Sequence, residues 1–276
     1  MEPRIQYAKT SGGVNIAFST TGEGPALVHM PIGVSHCRLE WDIHELRRWY
    51  EALARRHRLV RFDFRGVGLS DRDVSVSTPA LEDGHQDLEA VVDRLGLETF
   101  ALFAQMHSAL LAVSYAARYP ERVSRLILWS AYTTASEWLK SPAIQASRSL
   151  VDKDWVFFTE AFAHFSLGWS EGEPARRYAA LMREGITREF LQAFFGAMVS
   201  WDVAPLLPNV SAPTLVLQRN DAIPGVQVAG YLAARIPDAR LVILAGDSTA
   251  PYLGDSDSAL TAIEEFLAEG EAESKA

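Results

Sequence analysis

Short apolar runs with few polar breaks alternate with longer stretches of helical periodicity along most of this chain. The runs "PALVHMP", "RLVRFDFRG", "TFALFAQ", "VSRLILWSA", "APTLVLQRND" and "ARLVILAGD" predict strands, and the least interrupted of them read as strands buried on both faces of a parallel sheet. The segments between them, "LRRWYEALARRHR", "LEDGHQDLEAVVDRLGL", "SALLAVSYAARYP", "VQVAGYLAARIP" and "ALTAIEEFLAEG", predict helices; Gly96 closes the second and Pro120 stops the third. The opening "RIQYAKTSGGVNIAFSTTGEG" predicts an antiparallel hairpin turning at Gly12-Gly13. From Ala131 to Leu206 the alternation stops, and helices rich in Trp138, Trp155, Phe157, Phe158, Phe162, Phe165, Trp169, Phe194, Phe195 and Trp201 take over. The pattern predicts an α/β protein: a mostly parallel, doubly wound sheet from residues 1–130 and 207–276, with a helical insertion over 131–206. Sites in such sheets lie at the carboxyl ends of strands. Here those ends are His29–Ile32, Asp63–Gly68, Ala104–His107, Trp129–Tyr132, Gln218–Asp221 and Gly246–Thr249.

Composition narrows the partners. The 276 residues are 48% hydrophobic and 22% charged, enough for a sizeable core. A formal charge of -9 argues against nucleic acid or an anionic membrane. The acidic residues are dispersed except in the tail "EEFLAEGEAESKA", expected to be a frayed, solvated end. The single Cys37 excludes an internal disulfide framework and suits a reducing cytoplasm, the expected location. The N-terminal "MEPRIQYAKTSGG" carries no apolar leader, and no run approaches the ~20 apolar residues of a membrane span. There is no P-loop, no dinucleotide fingerprint and no metal-ligand spacing, so neither a cofactor nor a metal is expected.

Several of these motifs together resemble the α/β-hydrolase superfamily over essentially the whole length: "YAARYPERVSRLIL", "RFDFRGVGLSD", "APTLVLQRND" and "AARIPDARLVILAGD", in that family's order and spacing. "PIGVSHCRLEW" resembles a subgroup that also occurs fused to bacterial cyclases and transcription regulators. The resemblance implies an α/β-hydrolase fold in which 131–206 is a cap over the strand ends. It also implies a nucleophile on a strained strand-to-helix turn, written G-x-S-x-G in the family. In this sequence the matching positions are Met106 for the nucleophile, Ala104 and Ser108 for the flanking glycines, Asp221 for the acid, Thr249 for the histidine and Ile32 for the oxyanion-loop glycine.

Acyl transfer by such a triad needs a hydroxyl or thiol, a base to take its proton, and paired N–H donors for the oxyanion. Met106 is a thioether with no proton to lose, and Thr249 is no base near neutral pH. The expectation is therefore that this chemistry is absent. His107, Asp221 and Gln105 are the candidates for acid/base or polar work. Met106, Ile32, His29, Trp129, Tyr132, Thr249 and Ser108 are the candidates for lining a ligand cavity. Adjacent helical residues point about 100° apart, so His107 and Ser108 do not naturally pair as base and nucleophile. Asp63 and Arg65 are expected to organise loop backbone. An aromatic cap over an apolar turn favours a small hydrophobic organic ligand. Three uses follow. The first is a non-hydrolytic enzyme of lyase, isomerase or cyclase type without a covalent intermediate. The second is a non-catalytic ligand-binding or regulatory protein, and the third an atypical hydrolase through Ser108 or His107. The first is the expectation carried forward.

Overall fold

The computed structural model describes residues 2–73, 80–136, 139, 142–168 and 171–273. Trp138 and Trp169, two of the aromatics expected in the insertion, lie outside the described residues.

The hairpin is β1 (Gln6–Lys9) and β2 (Asn15–Thr21), antiparallel with Gln6 opposite Phe18. The apolar runs become β3 (Ala26–His29), β4 (Arg58–Phe62), β5 (Phe100–Gln105), β6 (Val123–Trp129), β7 (Thr214–Arg219) and β8 (Ala239–Leu244). One sheet takes the order β1-β2-β4-β3-β5-β6-β7-β8, parallel from β4 to β8. Position in the sheet explains the sequence pattern. All six residues of β5, "FALFAQ", are buried because the strand lies between β3 and β6. β8 is the edge strand, and its side chains are correspondingly more exposed.

Helices α1 (His44–Leu53), α2 (Leu81–Arg94), α3 (Ser108–Arg118), α8 (Val226–Ala233) and α9 (Ser256–Glu273) connect the strands or close the chain. The acidic tail is a correction to the sequence reading. Residues up to Glu273 form α9, and Ile263, Phe266 and Leu267 are buried at helical spacing where α9 packs on β6, β7 and β8. Glu269 ties the helix to β8 through two 2.9 Å hydrogen bonds from Arg240.

Between β6 and β7 the described helices are α4 (Pro142–Arg148), α5 (Trp155–Leu167), α6 (Gly172–Gly185) and α7 (Arg188–Met198). They are fastened over the carboxyl ends of the strands at several points. Phe194 of α7 lies against Gly33, where an added Cβ would come within 2.7 Å of its ring. Phe190 lies against Gly66, whose φ of 79° is also the left-handed region that glycine tolerates. The Gly68 N–H donates to the Gly185 carbonyl (2.7 Å), and the Thr249 hydroxyl donates to the Ser166 carbonyl (2.5 Å).

The loop after β8 hangs on one buried cation. Arg219, the last residue of β7, is 1% exposed. Its Nη1 donates to the carbonyls of Ser248 (3.2 Å) and Ala250 (3.0 Å), and its Nη2 to those of Leu253 (2.5 Å) and Asp255 (3.3 Å). The guanidinium also sits 5.2 Å over the Trp129 ring. Among the described residues no side-chain carboxylate hydrogen-bonds to it; the backbone carbonyls, the Trp129 ring and the nearby charges of Asp255 and Asp247 offset its desolvation. Arg219→Met strands those carbonyls and should lower unfolding free energy by about 3 kcal/mol in urea denaturation, with Arg219→Lys intermediate. A loss below about 1 kcal/mol would show that the loop is held by other contacts.

Candidate functional site

The turn between β5 and α3 is built as the sequence indicates. Met106 takes φ 50°, a left-handed conformation that a non-glycine side chain enters only where surrounding contacts force it. The forcing contacts are visible. The Met106 N–H donates to the Trp129 carbonyl (2.9 Å), and the Ala109 N–H donates to the Met106 carbonyl (3.1 Å). Ser108 braces the turn from inside: its Oγ accepts from the Gln105 N–H (3.0 Å) and lies 2.9 Å from the Gln105 carbonyl, to which it donates. Ser108 was expected to line a ligand cavity. It is instead fully buried, with its proton committed to backbone, so it neither reaches a ligand nor meets a histidine.

His107 turns back onto the loop after β3. The Gly33 N–H donates to His107 Nε2 at 2.7 Å. An accepting Nε2 is unprotonated, so the ring proton sits on Nδ1, which is buried with no partner. The ring meets Phe194 edge-on at 5.3 Å. Burial pushes its pKa down to about 4, so the imidazole is neutral at pH 7. The neighbouring turn and loop thus leave the Gly33 N–H no free direction.

His29, Ile32 and Gln105 come together around a closed cavity of about 20 Å³, shared with Glu40, Tyr50, Arg61, Tyr178 and Tyr252. His29 stacks on Phe103 at 5.1 Å, and burial lowers its pKa to about 4. Arg61 pairs with Glu40 (2.5 Å), which also accepts from the Tyr50 hydroxyl (3.0 Å). Sequence reasoning missed this cluster. Its one readable signal was a charge, Arg61, in the middle of the buried run "RLVRFDF".

The other expected site residues lie elsewhere. Trp129 is fully buried and donates from Nε1 to the Thr249 carbonyl (2.7 Å), so it braces the β8 loop. Tyr132 is also buried, at 4% exposure, with its hydroxyl unpartnered. The Thr249 side chain is spent on the inserted helices. Met106 is half-buried against the core. Asp221 is exposed, and its carboxylate has no hydrogen-bond partner among the described residues. Asp63 and Arg65 organise backbone as expected. Asp63 accepts from the Ser35 hydroxyl (2.8 Å) and from the N–H groups of Cys37 (3.1 Å) and Leu69 (3.0 Å). Arg65 bonds Asp87 and Asp83.

A larger cavity, about 390 Å³, opens on the other side of the β3 loop. Val67, Leu111, Phe190, Phe194 and Trp201 give it an aromatic and aliphatic wall, Gly33 touches its edge, and Val14 lies at its rim. Its ionic groups include Arg65, Asp83 and Asp87, already paired with one another. Among the described residues, no group of three histidine, cysteine or acidic side chains is arranged to hold a metal ion. Among the described residues no helix is long and apolar enough to cross a membrane.

The neutral state of His107 has a consequence for stability. Its folded pKa of about 4 lies below the ordinary value of 6.5. The contribution is therefore intact above pH 6.5 and is lost as pH falls towards 4, because only the unfolded chain takes up the proton. The slope is up to about 1.4 kcal/mol per pH unit. His107→Gln keeps an acceptor for Gly33 and cannot titrate, so its urea stability between pH 7 and 5 should fall less steeply than that of the parent. Equal slopes would mean that the imidazole takes up its proton as readily in the folded as in the unfolded chain.

Sequence and structure comparisons agree with this architecture. A family model described as alpha/beta hydrolase fold matches residues 36–248. A pimeloyl-[acyl-carrier protein] methyl ester esterase of Nitrosomonas europaea is 27% identical over 252 residues, covering 87% of this chain and 94% of that protein. A cis-3-alkyl-4-alkyloxetan-2-one decarboxylase of Shewanella oneidensis is 34% identical over 128 residues, 46% of this chain and 38% of that protein. A hydrolase from Pseudomonas aeruginosa superposes with a TM-score of 0.80 at 23% identity, over 96% of this chain and 98% of its own. With the family match spanning most of the sheet and the inserted helices together, the chain belongs to the alpha/beta hydrolase fold family.

Proposed function

We propose that this chain binds a hydrophobic small organic molecule and performs no acyl transfer at its strand-to-helix turn. The observation that carries this reading is the 2.7 Å hydrogen bond from the Gly33 N–H to His107 Nε2. An oxyanion needs N–H donors aimed at empty space beside a nucleophile. Here a neighbouring donor is already taken by an imidazole, and the turn residue is Met106, whose thioether has no proton to lose. The cavity at His29, Ile32 and Gln105 is about 20 Å³, too small for an organic substrate. The 390 Å³ cavity lined by Phe190, Phe194 and Trp201 is within the size range of small-molecule sites and, unlike cavities of about 530 and 480 Å³ elsewhere, is walled by several large aromatics.

Binding without chemistry ranks above the enzymatic step expected from sequence, because Asp83 and Asp87 at that cavity are both held in ion pairs by Arg65. A non-hydrolytic step of lyase, isomerase or cyclase type has one observation in its favour. Burial raises the Asp87 carboxyl to about 6 despite its bonds from Arg65, a value suited to proton transfer near neutrality. The decarboxylase among the relatives fits that second reading.

A fluorophosphonate probe should label nothing, and p-nitrophenyl esters should turn over no faster than in buffer. Labelling at Ser108, or hydrolysis abolished by His107→Ala, would overturn the proposal. The neutral fluorophore N-phenyl-1-naphthylamine should bind the parent, and Val14→Trp, which fills the cavity rim, should weaken that binding at least ~10-fold, about 1.4 kcal/mol.

A further inference from the structure

Arg61 is 2% exposed, yet only part of its guanidinium is used. Nη2 donates to Glu40 (2.5 Å) and to the Cys37 carbonyl (3.2 Å), and the group lies 3.9 Å over the Tyr50 ring. Its Nε and Nη1 hydrogens are buried and meet no protein acceptor. Buried donors of a charged group carry a large penalty when unpaired, so native structures supply them with a partner. The cavity of about 20 Å³ that Arg61 lines has room for one oxygen, since a water needs roughly 10–15 Å³ of such space. Gln105, Tyr178 and Tyr252 bring further polar groups to the same wall, and their side chains hold no hydrogen bond among the described residues.

Charge decides what occupies it. Arg61 and Glu40 cancel, and His29 beside them is neutral. An anion would place an unbalanced negative charge next to the Glu40 carboxylate, and a cation would face Arg61. The site therefore suits an uncharged group that accepts from Arg61 and donates to, or accepts from, the amide and phenols around it.

We infer that this cavity is a binding site for one uncharged oxygen hydrogen-bonded to Arg61, either water or the carbonyl oxygen of a small organic molecule. The inference is independent of whether the larger cavity takes a ligand. Three crystals of the full chain test it: one untreated, one soaked in bromide, one soaked in formamide. The untreated crystal should show a single water-sized peak within hydrogen-bond distance of Arg61 Nε or Nη1, and the bromide crystal no anomalous peak there. In the formamide crystal, retention of the peak assigns the site to water, and its replacement by the formamide oxygen extends it to carbonyl ligands; both support the inference. A dry cavity, an oxygen out of reach of Arg61, or a bromide peak overturns it.

Discussion

The hydrogen bond between the Gly33 N–H and His107 Nε2 joins the loop after β3 to the turn after β5 across the middle of the sheet. It fixes the tautomer of the imidazole, consumes a backbone donor beside the turn, and keeps the ring packed on Phe194. The bond survives only while the ring is uncharged, because an imidazolium has no lone pair to accept with. Burial supplies that condition, and the inserted helices supply the burial. The geometry at this end of the sheet is thus set by packing from α7 as much as by the residues of the turn itself.

The same helices explain why the strand ends enclose so little space. Phe190 and Phe194 press on Gly66 and Gly33, and Ser166 and Leu167 receive the Thr249 and Ser248 hydroxyls. Beneath them Arg219 gathers the β8 loop from below. Near the β3 loop lie a tight polar cluster around Arg61 and a roomier cavity walled largely by aromatic and aliphatic side chains. A fold whose family includes esterases here presents an apolar chamber next to a closed turn.

Much of the frame was legible in the chain. Uninterrupted runs such as "TFALFAQ" gave buried parallel strands, because burial on both faces removes the polar alternation that marks an exposed sheet. A strained turn at Met106 was implied by the family resemblance, and its left-handed φ of 50° fits that expectation. The tail misled because its acidic residues surround Phe266 and Leu267, which are buried one helical turn after Ile263 of the predicted helix. A place at a strand end does not say which contacts a side chain makes: Trp129 and Tyr132 are both buried, and Trp129 spends its Nε1 on the Thr249 carbonyl. The Glu40, Tyr50, Arg61, Tyr178 and Tyr252 cluster joins distant segments, a coincidence no local pattern encodes.

The protonation state of His107 is the most direct gauge of these relations. Nitrogen-15 NMR of the histidine rings at neutral pH should show His107 as the Nδ1–H tautomer, with Nε2 unprotonated and coupled through a hydrogen bond to the Gly33 amide. An Nε2–H tautomer or an imidazolium would contradict it, since either would free the Gly33 donor for an oxyanion.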